Sequence, residues 1–173
     1  MLSFTNAKAD KLQIGVAESD ITCYSNNYES LVYDGKYNTK FWSNGSPQAG
    51  YTFTVYLNSS ANVGDIKLYF SSGDLPTDGA LIEVKDNGSW VEVGEPLNGV
   101  KGNDVVTRNA GGIYTNEIRL RFTQPSAYWF QLLEFEVYEY VAIRTISAVA
   151  GEGGSVTING GSEAVTGTDE VQL

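Results

Sequence analysis

The chain has 173 residues and a formal net charge of −10, with 21 acidic and 11 basic side chains. This acidic excess argues against nucleic acid and anionic membranes as partners, because both are negatively charged. The 42% of hydrophobic residues excludes a disordered chain, and no apolar run approaches the roughly 20 residues that span a bilayer. Histidine is absent, which excludes a Ser-His-Asp triad and a His-ligated metal, and the single Cys23 cannot close a disulfide within the chain.

The first predicted strands are two segments, residues 51–57 and 66–70, in which apolar and polar side chains alternate. A period of two is the pattern of a strand with one buried face. Residues 80–85 and 90–93 continue this pattern on either side of a four-residue segment that contains Asn-Gly. Asn-Gly tolerates the positive φ angles of a tight turn, so these two segments are predicted to form a β-hairpin.

Two more strands are predicted before the composition of the chain changes. Residues 117–122 alternate again, and residues 130–140 form a run of aromatic, β-branched and acidic side chains. No long stretch sustains a helical period, so the fold class is predicted to be an all-β sandwich or jelly roll. Residues 148–161 are rich in glycine and lack aromatic side chains. We therefore predict one domain over residues 1–140 and, over 141–173, the start of a second Gly-rich β module or a linker.

Three segments, in order along the first domain, carry a resemblance to a known family. They contain Asp34-Gly35 followed by Thr39 and Trp42; a strand, a turn and Trp90; and Trp129 followed by Glu134 and Val137. The ordered set resembles the discoidin, or factor V/VIII C-type, fold and within it the family 32 carbohydrate-binding modules. The resemblance implies a discoidin-like β-sandwich, with one departure in spacing, because Trp42 follows Thr39 by three residues rather than two. Residues 141–173 resemble the opening of the Gly-rich β-repeat modules of large bacterial surface proteins.

The resemblance implies a structural Ca²⁺ ion that holds an early loop to the last strand. Such a hard cation prefers six or more oxygen ligands, which side chains and backbone carbonyls supply together. Matched onto this sequence, the side-chain ligands are Asp34, Thr39 and Glu134, and the carbonyl ligands are those of Leu31, Lys36 and Leu133. Relatives often have Asp or Asn at position 36, where this chain offers only a carbonyl. The residues alone leave open that Asp34 simply forms a turn and that Glu134 is a surface carboxylate.

The resemblance also implies a sugar site on loops at one end of the sandwich, here residues 41–50, 71–78 and 124–129. Aromatic rings pack on the apolar face of a sugar, while planar polar groups bind its hydroxyls. The candidate residues are the aromatic Trp42, Tyr28, Tyr128 and Trp129 and the polar Asn44, Asp74 and Asp78, with Tyr24 close to Tyr28 in sequence. Core packing is the alternative for each aromatic residue. Trp90 is expected in the core, because it begins the returning strand of the hairpin.

These features predict a non-catalytic carbohydrate-binding module that tethers a larger secreted or cell-surface glycoside hydrolase to host glycans. Galactose-binding relatives use a His, which this chain lacks, and residues 41–47 are similar to loops of GlcNAc-preferring members. A terminal N-acetylhexosamine is therefore expected in preference to galactose-type sugars. The alternative is a discoidin-type adhesion module that binds a protein or lipid surface. Catalysis is not expected, because no two carboxylates can be assigned to opposite sides of a cleft. The module is expected to be extracellular, monomeric and without a membrane span.

Overall fold

Antiparallel β-strands and one 3₁₀ helix make up the regular structure of the described residues, 9–71 and 78–142, in this computed structural model. In chain order the elements are β1 (Lys11–Leu12), β2 (Ile14–Ser19), the 3₁₀ helix (Glu29–Tyr33), β3 (Phe41–Trp42), β4 (Thr52–Phe70), β5 (Ala80–Asp86), β6 (Ser89–Glu92), β7 (Val105–Phe122) and β8 (Gln131–Glu139). The predicted all-β class is confirmed.

Two long strands, β4 and β7, pair with each other and contribute to both layers of the sandwich. One layer contains β2, the first part of β4, the last part of β7, β5 and β6. The other contains β1, β8, the last part of β4 and the first part of β7, with β3 paired to β8. The register of β4 on β7 shifts between Tyr56 and Ala61 and again between Val63 and Asp65. Such irregularities bend strands, which lets one pair pass from layer to layer.

The predicted hairpin is confirmed in its strands and in its turn. Asp86 at the end of β5 pairs with Ser89 at the start of β6. Between them Asn87 has a φ of 47° and Gly88 a φ of 85°. Positive φ at both central positions matches the twist of the flanking strands, and Asn-Gly adopts it at little cost.

The other strand predictions are correct in type but incomplete in extent. Residues 51–57 and 66–70 were predicted as two strands, but all of them except residue 51 belong to the single strand β4. Residues 117–122 form the end of β7, and residues 130–140 contain β8. The sequence pattern misses β2 and the first part of β7. Few of their side chains are fully buried, so apolar and polar residue types do not alternate cleanly along them.

Phe130 lies at the centre of a phenylalanine cluster that joins the two layers. It is 4% exposed, and its ring centroid lies 5.3 Å from Phe122, 6.1 Å from both Phe41 and Phe53, and 6.4 Å from Phe70. Phe53 and Phe122 belong to the layer that contains β2, whereas Phe41 and Phe70 belong to the layer that contains β8. Tilted and edge-on aromatic contacts of this kind stabilise a core beyond simple burial.

A buried charge network stabilises the outer face of the first layer. Glu83 on β5 is only 3% exposed. Its Oε2 lies 2.5 Å from Arg119 Nε and its Oε1 lies 2.9 Å from Arg121 Nη2, both on β7. Burial alone would raise the pKa of Glu83, but hydrogen bonds from Arg121 and Arg119 outweigh it and lower the pKa. The carboxylate is therefore held ionised between two guanidinium groups.

The strands described above lie within one compact unit, Asp10–Tyr140. Residues 143–173 lie outside the described residues, so the predicted boundary and the Gly-rich β module over 141–173 stay predictions. In the part of the chain that the structure describes, no helix has the length and apolar character needed to cross a membrane.

Candidate functional site

The segment after the 3₁₀ helix folds around the carboxylate of Asp34. The backbone N–H of Lys36 donates to Asp34 Oδ1 at 2.8 Å. The hydroxyl of Thr39 lies 3.0 Å from each carboxylate oxygen of Asp34 and 3.0 Å from the carbonyl oxygen of Lys36. A hydroxyl carries one proton and can satisfy one of these acceptors at a time. The loop thus gathers carboxylate, hydroxyl and carbonyl oxygens at one point.

Glu134 reaches this loop from β8, 98 residues further along the chain than Lys36. Its Oε1 accepts a hydrogen bond from the backbone N–H of Lys36 at 3.0 Å. The side chain is fully buried, and Oε2 has no hydrogen-bond partner among the described residues. Burial raises the pKa of Glu134 to about 7, although the charge of Lys11 and the N–H of Lys36 lower it. The alternative that Glu134 is a surface carboxylate is therefore wrong.

An irregularity in β8 explains how Glu134 points toward the loop. Tyr69 of β4 pairs with Glu134, whereas the next residue, Phe70, pairs with Leu132, so the ladder skips Leu133. An extra residue of this kind changes which side chains face the core. Leu132 therefore packs in the core, while Glu134 is free to face the loop.

These residues fit a hard cation. An unpartnered buried carboxylate oxygen is destabilised unless a counter-charge or a metal binds it, and the oxygens of Asp34, Thr39 and Lys36 lie in the adjoining loop. Of the other predicted carbonyl ligands, Leu31 lies in the 3₁₀ helix, which packs against β8, and Leu133 precedes Glu134. Within residues 9–71 and 78–142, no three His, Cys, Asp or Glu side chains converge. A cation here would depend on two carboxylates and several neutral oxygens.

Glu136, two residues further along β8, is a second buried carboxylate, and its oxygens are fully partnered. Lys11 Nζ lies 2.8 Å and the Tyr37 hydroxyl 2.7 Å from Oε1, and the Tyr138 hydroxyl donates to Oε2 at 2.8 Å. Burial would raise the pKa of Glu136, but these hydrogen bonds outweigh it and lower the pKa to about 2. Because Tyr37 belongs to the Asp34 loop, Glu136 attaches this loop to β8 without any cation.

Three aromatic side chains meet where β3 pairs with the start of β8, and we call them the aromatic cluster. The ring centroids of Tyr24 and Trp42 are 4.9 Å apart, those of Tyr24 and Trp129 5.4 Å, and those of Trp42 and Trp129 6.0 Å. Tyr24 is 42% and Trp129 38% exposed. Trp42 is half-buried, and its Nε1 is buried without a partner among the described residues. Trp42 therefore supports two exposed rings.

Lys40 covers part of the Trp42 ring. Its Nζ lies 4.7 Å from the ring centroid, 2.6 Å from Gln131 Oε1 and 3.4 Å from Ser71 Oγ. An ammonium over an indole face is stabilised by the ring electrons, and burial lowers the pKa of Lys40. Lys40 thus holds Trp42 against β8. Lys40 is not among the predicted site residues, because it directly precedes the predicted sugar-binding loop, residues 41–50.

Ser43 connects the two loops that carry the tryptophans. It is fully buried, and its N–H donates to the carbonyl of Phe130 at 2.9 Å. Its hydroxyl accepts from the N–H of Phe130 at 2.8 Å and donates to the carbonyl of Gly45 at 2.7 Å. The N–H of Ser126 donates to the carbonyl of Pro47 at 2.8 Å. These bonds hold the aromatic cluster in place before any ligand binds.

Three further predicted sugar residues are exposed. Asn44 is exposed beside the aromatic cluster in sequence, and its backbone N–H donates to the carbonyl of Thr22 at 2.8 Å. Tyr128, adjacent to Trp129, is 41% exposed. Tyr28 is 51% exposed, and its hydroxyl donates to Asn26 Oδ1 at 3.0 Å. All three side chains are open to a ligand from solvent.

The two predicted aspartates differ from the rest of the set. Asp78 Oδ1 accepts a hydrogen bond from the N–H of Gly99, which gives this carboxylate a structural role in a turn. Asp74 lies outside the described residues. Tyr24 was noted only as a neighbour in sequence, yet it contacts both tryptophans. No local motif indicates such a contact between residues so far apart in the chain.

Trp90 is not in the core, so that expectation is wrong. It is half-buried, with Lys85 Nζ 4.7 Å and Arg119 Cζ 4.0 Å from its ring centroid. Trp90 pairs with Lys85 across the hairpin, and the neighbouring Val84 is fully buried. Successive strand residues face opposite sides, so Lys85 and Trp90 face outward. Two cations, rather than core side chains, cover the indole.

An open cleft of about 520 Å³ contains none of the predicted sugar residues. It is lined by Ala17, Glu18, Ser19, Asp20, Glu29, Thr52, Thr54 and Tyr56. Asp20 already accepts hydrogen bonds from the N–H and the hydroxyl of Thr52, at 2.7 Å and 2.9 Å. The cleft offers a single aromatic ring. The aromatic cluster is the better candidate, because the apolar face of a sugar packs on exposed rings.

Comparison with protein families agrees with this geometry. The model of the F5/8 type C domain matches residues 16–135. The chain belongs to the F5/8 type C domain family. The matched range of this F5/8 type C domain includes the Asp34 loop, Glu134 and all three rings of the aromatic cluster. No protein with a curated description matches the sequence.

Solved structures of family 32 carbohydrate-binding modules (CBM32) share the fold of this F5/8 type C domain. CBM32-1 from a family 31 glycoside hydrolase of Clostridium perfringens has a TM-score of 0.61 at 18% identity, covering 72% of this chain and 93% of that chain. The Clostridium perfringens NanJ module, in complex with galactose, gives 0.60 at 23% identity, with 72% and 93% covered. CpGH89CBM32-4, produced by Clostridium perfringens and in complex with GlcNAc-α-1,4-galactose, gives 0.62 at 14% identity, with 78% and 97% covered. At these identities the matches show a common fold.

Proposed function

We propose that this domain is a non-catalytic carbohydrate-binding module whose sugar contacts centre on the aromatic cluster. The observation that carries the proposal is the pair of exposed rings, Tyr24 and Trp129, supported by Trp42 on loops that Ser43 connects. Sugar rings present C–H faces that pack on such surfaces. The exposed Asn44 adds an amide that can bind a hydroxyl. The sugars named for two of the matched CBM32 structures support the same function.

For the ligand we propose a terminal N-acetylhexosamine, GlcNAc in particular, in preference to galactose. Galactose-binding relatives use a His, and this chain has none. The acetamido methyl group adds an apolar contact that three clustered rings can accept. A shallow site for one sugar binds weakly, with a dissociation constant of ~1 mM, or about −4 kcal/mol.

Trp129→Ala is expected to weaken GlcNAc binding about tenfold, because an exposed aromatic contact contributes roughly 1 kcal/mol or more. Trp129 is 38% exposed and lies outside the phenylalanine cluster, so the melting temperature is expected to change little. Titration calorimetry of the wild type and the variant with GlcNAc, GalNAc and galactose measures both the loss and the preference.

The matched control is Trp90→Ala, which removes an indole on β6 that lies between two cations. This control should keep the affinity of the wild type. Unchanged GlcNAc affinity in Trp129→Ala would contradict the proposed site. Tighter binding of galactose than of GlcNAc would contradict the preference but not the module.

We also propose that the Asp34 loop and Glu134 bind a structural cation, Ca²⁺ by the chemistry of the oxygens. The unpartnered Oε2 of Glu134 supports this proposal most directly. When bound, the ion would supply positive charge to a buried carboxylate. Asp34, Thr39 and the carbonyls of Leu31, Lys36 and Leu133 are the remaining proposed ligands. The loop would then be held to β8 by the ion in addition to Glu136.

Asp34→Ala is expected to abolish any rise in melting temperature on adding Ca²⁺. A ligand that binds only the folded state stabilises it in proportion to RT ln(1 + [L]/Kd), so loss of a ligand removes the response. Thermal melts in excess EDTA and in millimolar CaCl₂ measure it. Asp86→Ala, at the hairpin end, is the control and should respond like the wild type. The site would be refuted if neither EDTA nor CaCl₂ changed the melting temperature of the wild type and elemental analysis found no metal.

We further propose that the module belongs to a secreted or cell-surface glycoside hydrolase and tethers it to host glycans. One matched structure is a module from a family 31 glycoside hydrolase, which supports this setting. A weak module is useful there, because attachment raises the effective concentration of a linked catalytic domain at the glycan surface.

A further inference from the structure

Lys11 lies beside the proposed cation site but belongs to a different element, the strand β1. It pairs with Tyr138 across β1 and β8, so the backbone fixes it next to the last strand. Its Nζ is 2.8 Å from Glu136 Oε1 and 3.9 Å from Glu134 Oε2. Among the described residues, no other cationic side chain forms an ion pair with Glu134. One ammonium therefore serves two buried carboxylates.

The two carboxylates share this ammonium unequally. At 2.8 Å the contact with Glu136 is a hydrogen bond, whereas 3.9 Å to Glu134 Oε2 is too long for one. Glu136 also accepts from the hydroxyls of Tyr37 and Tyr138. Glu134 Oε2 has the charge of Lys11 nearby but no hydrogen bond among the described residues. Its charge is thus compensated in part, and its lone pairs remain available.

We propose that Lys11 is an internal counter-charge that competes with a bound cation for Glu134 and thereby sets the affinity of the site. The inference rests on the cation site proposed above. An ammonium fixed beside a carboxylate repels a divalent ion that binds the same carboxylate. Water screens this repulsion only in part, because the Lys11 side chain is 36% exposed whereas Glu134 is fully buried. Without the ion, the same ammonium stabilises Glu134 and Glu136, whose burial would otherwise be costly. Lys11 is not a ligand; it acts through the carboxylate.

Lys11→Met in the full chain is the direct test, because methionine keeps most of the unbranched apolar chain of lysine and removes its charge. Titration with CaCl₂ should give a dissociation constant about tenfold lower than that of the wild type. The melting temperature in excess EDTA should fall below that of the wild type. The rise on adding CaCl₂ should be larger. The stability of the folded variant would thus depend on bound Ca²⁺ more than that of the wild type does.

Two controls separate this effect from a general loss of lysine. Lys85→Met removes an ammonium that lies 3.5 Å from Glu117 Oε2, in the layer that contains β2. This variant should bind Ca²⁺ like the wild type. Lys11→Arg keeps the charge and should also behave like the wild type. If Lys11→Met does not fold in EDTA, Lys11→Gln, which keeps a hydrogen-bond donor for Glu136, gives the same comparison.

The outcomes distinguish this inference from the proposal on which it rests. Equal Ca²⁺ affinity in the wild type and in the uncharged variant would overturn the role of Lys11 and leave the cation site intact. Absence of Ca²⁺ binding in every variant, the wild type included, would overturn both. Tighter binding in the uncharged variant together with wild-type binding in Lys85→Met is the supporting result.

Discussion

Replacing Phe130 with alanine is expected to lower the free energy of unfolding by about 4 kcal/mol, as large core truncations do. The side chain is 4% exposed, and four other phenylalanine rings surround it. These rings come from both layers, so collapse of one layer cannot fill the cavity left by the truncation. Urea denaturation followed by tryptophan fluorescence measures the loss.

Tyr114→Ala is the matched control, because Tyr114 lies on β7 and is 68% exposed. Its free energy of unfolding should stay within about 0.5 kcal/mol of the wild type. A loss below about 1 kcal/mol in Phe130→Ala would show that the surrounding rings repack. In that case the phenylalanine cluster would not be what joins the layers.

Glu83→Ala is expected to cost about 3 kcal/mol, because it leaves two guanidinium groups without the carboxylate buried between them. Side-chain exposures of 4% for Glu83 and 18% for Arg119 show that this pair is largely shielded from water. The control is Glu92→Ala, since Glu92 lies 3.6 Å from Arg121 but its side chain is 59% exposed. Exposed pairs contribute about 1 kcal/mol or less. Similar losses in both variants would contradict the importance of burial.

The same pair gives a pH dependence with a definite sign. The pKa of Glu83 is lowered in the folded state from its usual value of 4.5. The stabilisation is therefore fully present above about pH 4.5 and is lost as the pH falls through the folded-state pKa. Urea denaturation at acidic pH should show a smaller difference between Glu83→Ala and the wild type than at neutral pH. A constant difference would mean that charge is not the source of the effect.

Much of the fold follows from local patterns in the sequence. Where an element does not follow from them, there is a physical reason. The hairpin was predictable because Asn87 and Gly88 adopt the φ angles that its turn requires. Strand β2 was not, because only one of its faces is half-buried and its sequence shows no alternation. The continuity of β4 was not visible either, since the exposed residues 58–60 between its halves resemble a loop. Trp90 was misplaced because hydrophobicity alone does not reveal which face of a strand a residue takes.

The candidate site depended on contacts between distant residues, which a single sequence does not contain. The loop ligands Asp34 and Thr39 lie close together in sequence and could be proposed from their oxygens. Glu134 joined them only through the family resemblance, and the structure does place its carboxylate beside Lys36. The contacts of Tyr24, Lys40 and Lys11 had no local signal, because each depends on how separate strands and loops pack.

The pairing of β1 with β8 determines where this domain connects to its surroundings. Lys11 pairs with Tyr138, and the N–H of Glu139 donates to the carbonyl of Asp10 at 2.8 Å, so both ends of the unit Asp10–Tyr140 lie side by side. The aromatic cluster lies at the opposite end of the nine-residue strand β8, which at about 3.4 Å per residue is roughly 27 Å away. A glycan could therefore dock at the far end of the domain without approaching either attachment point. With its two ends adjacent, the domain could be inserted into a surface loop of a larger protein as readily as it could be placed in a linear series of modules.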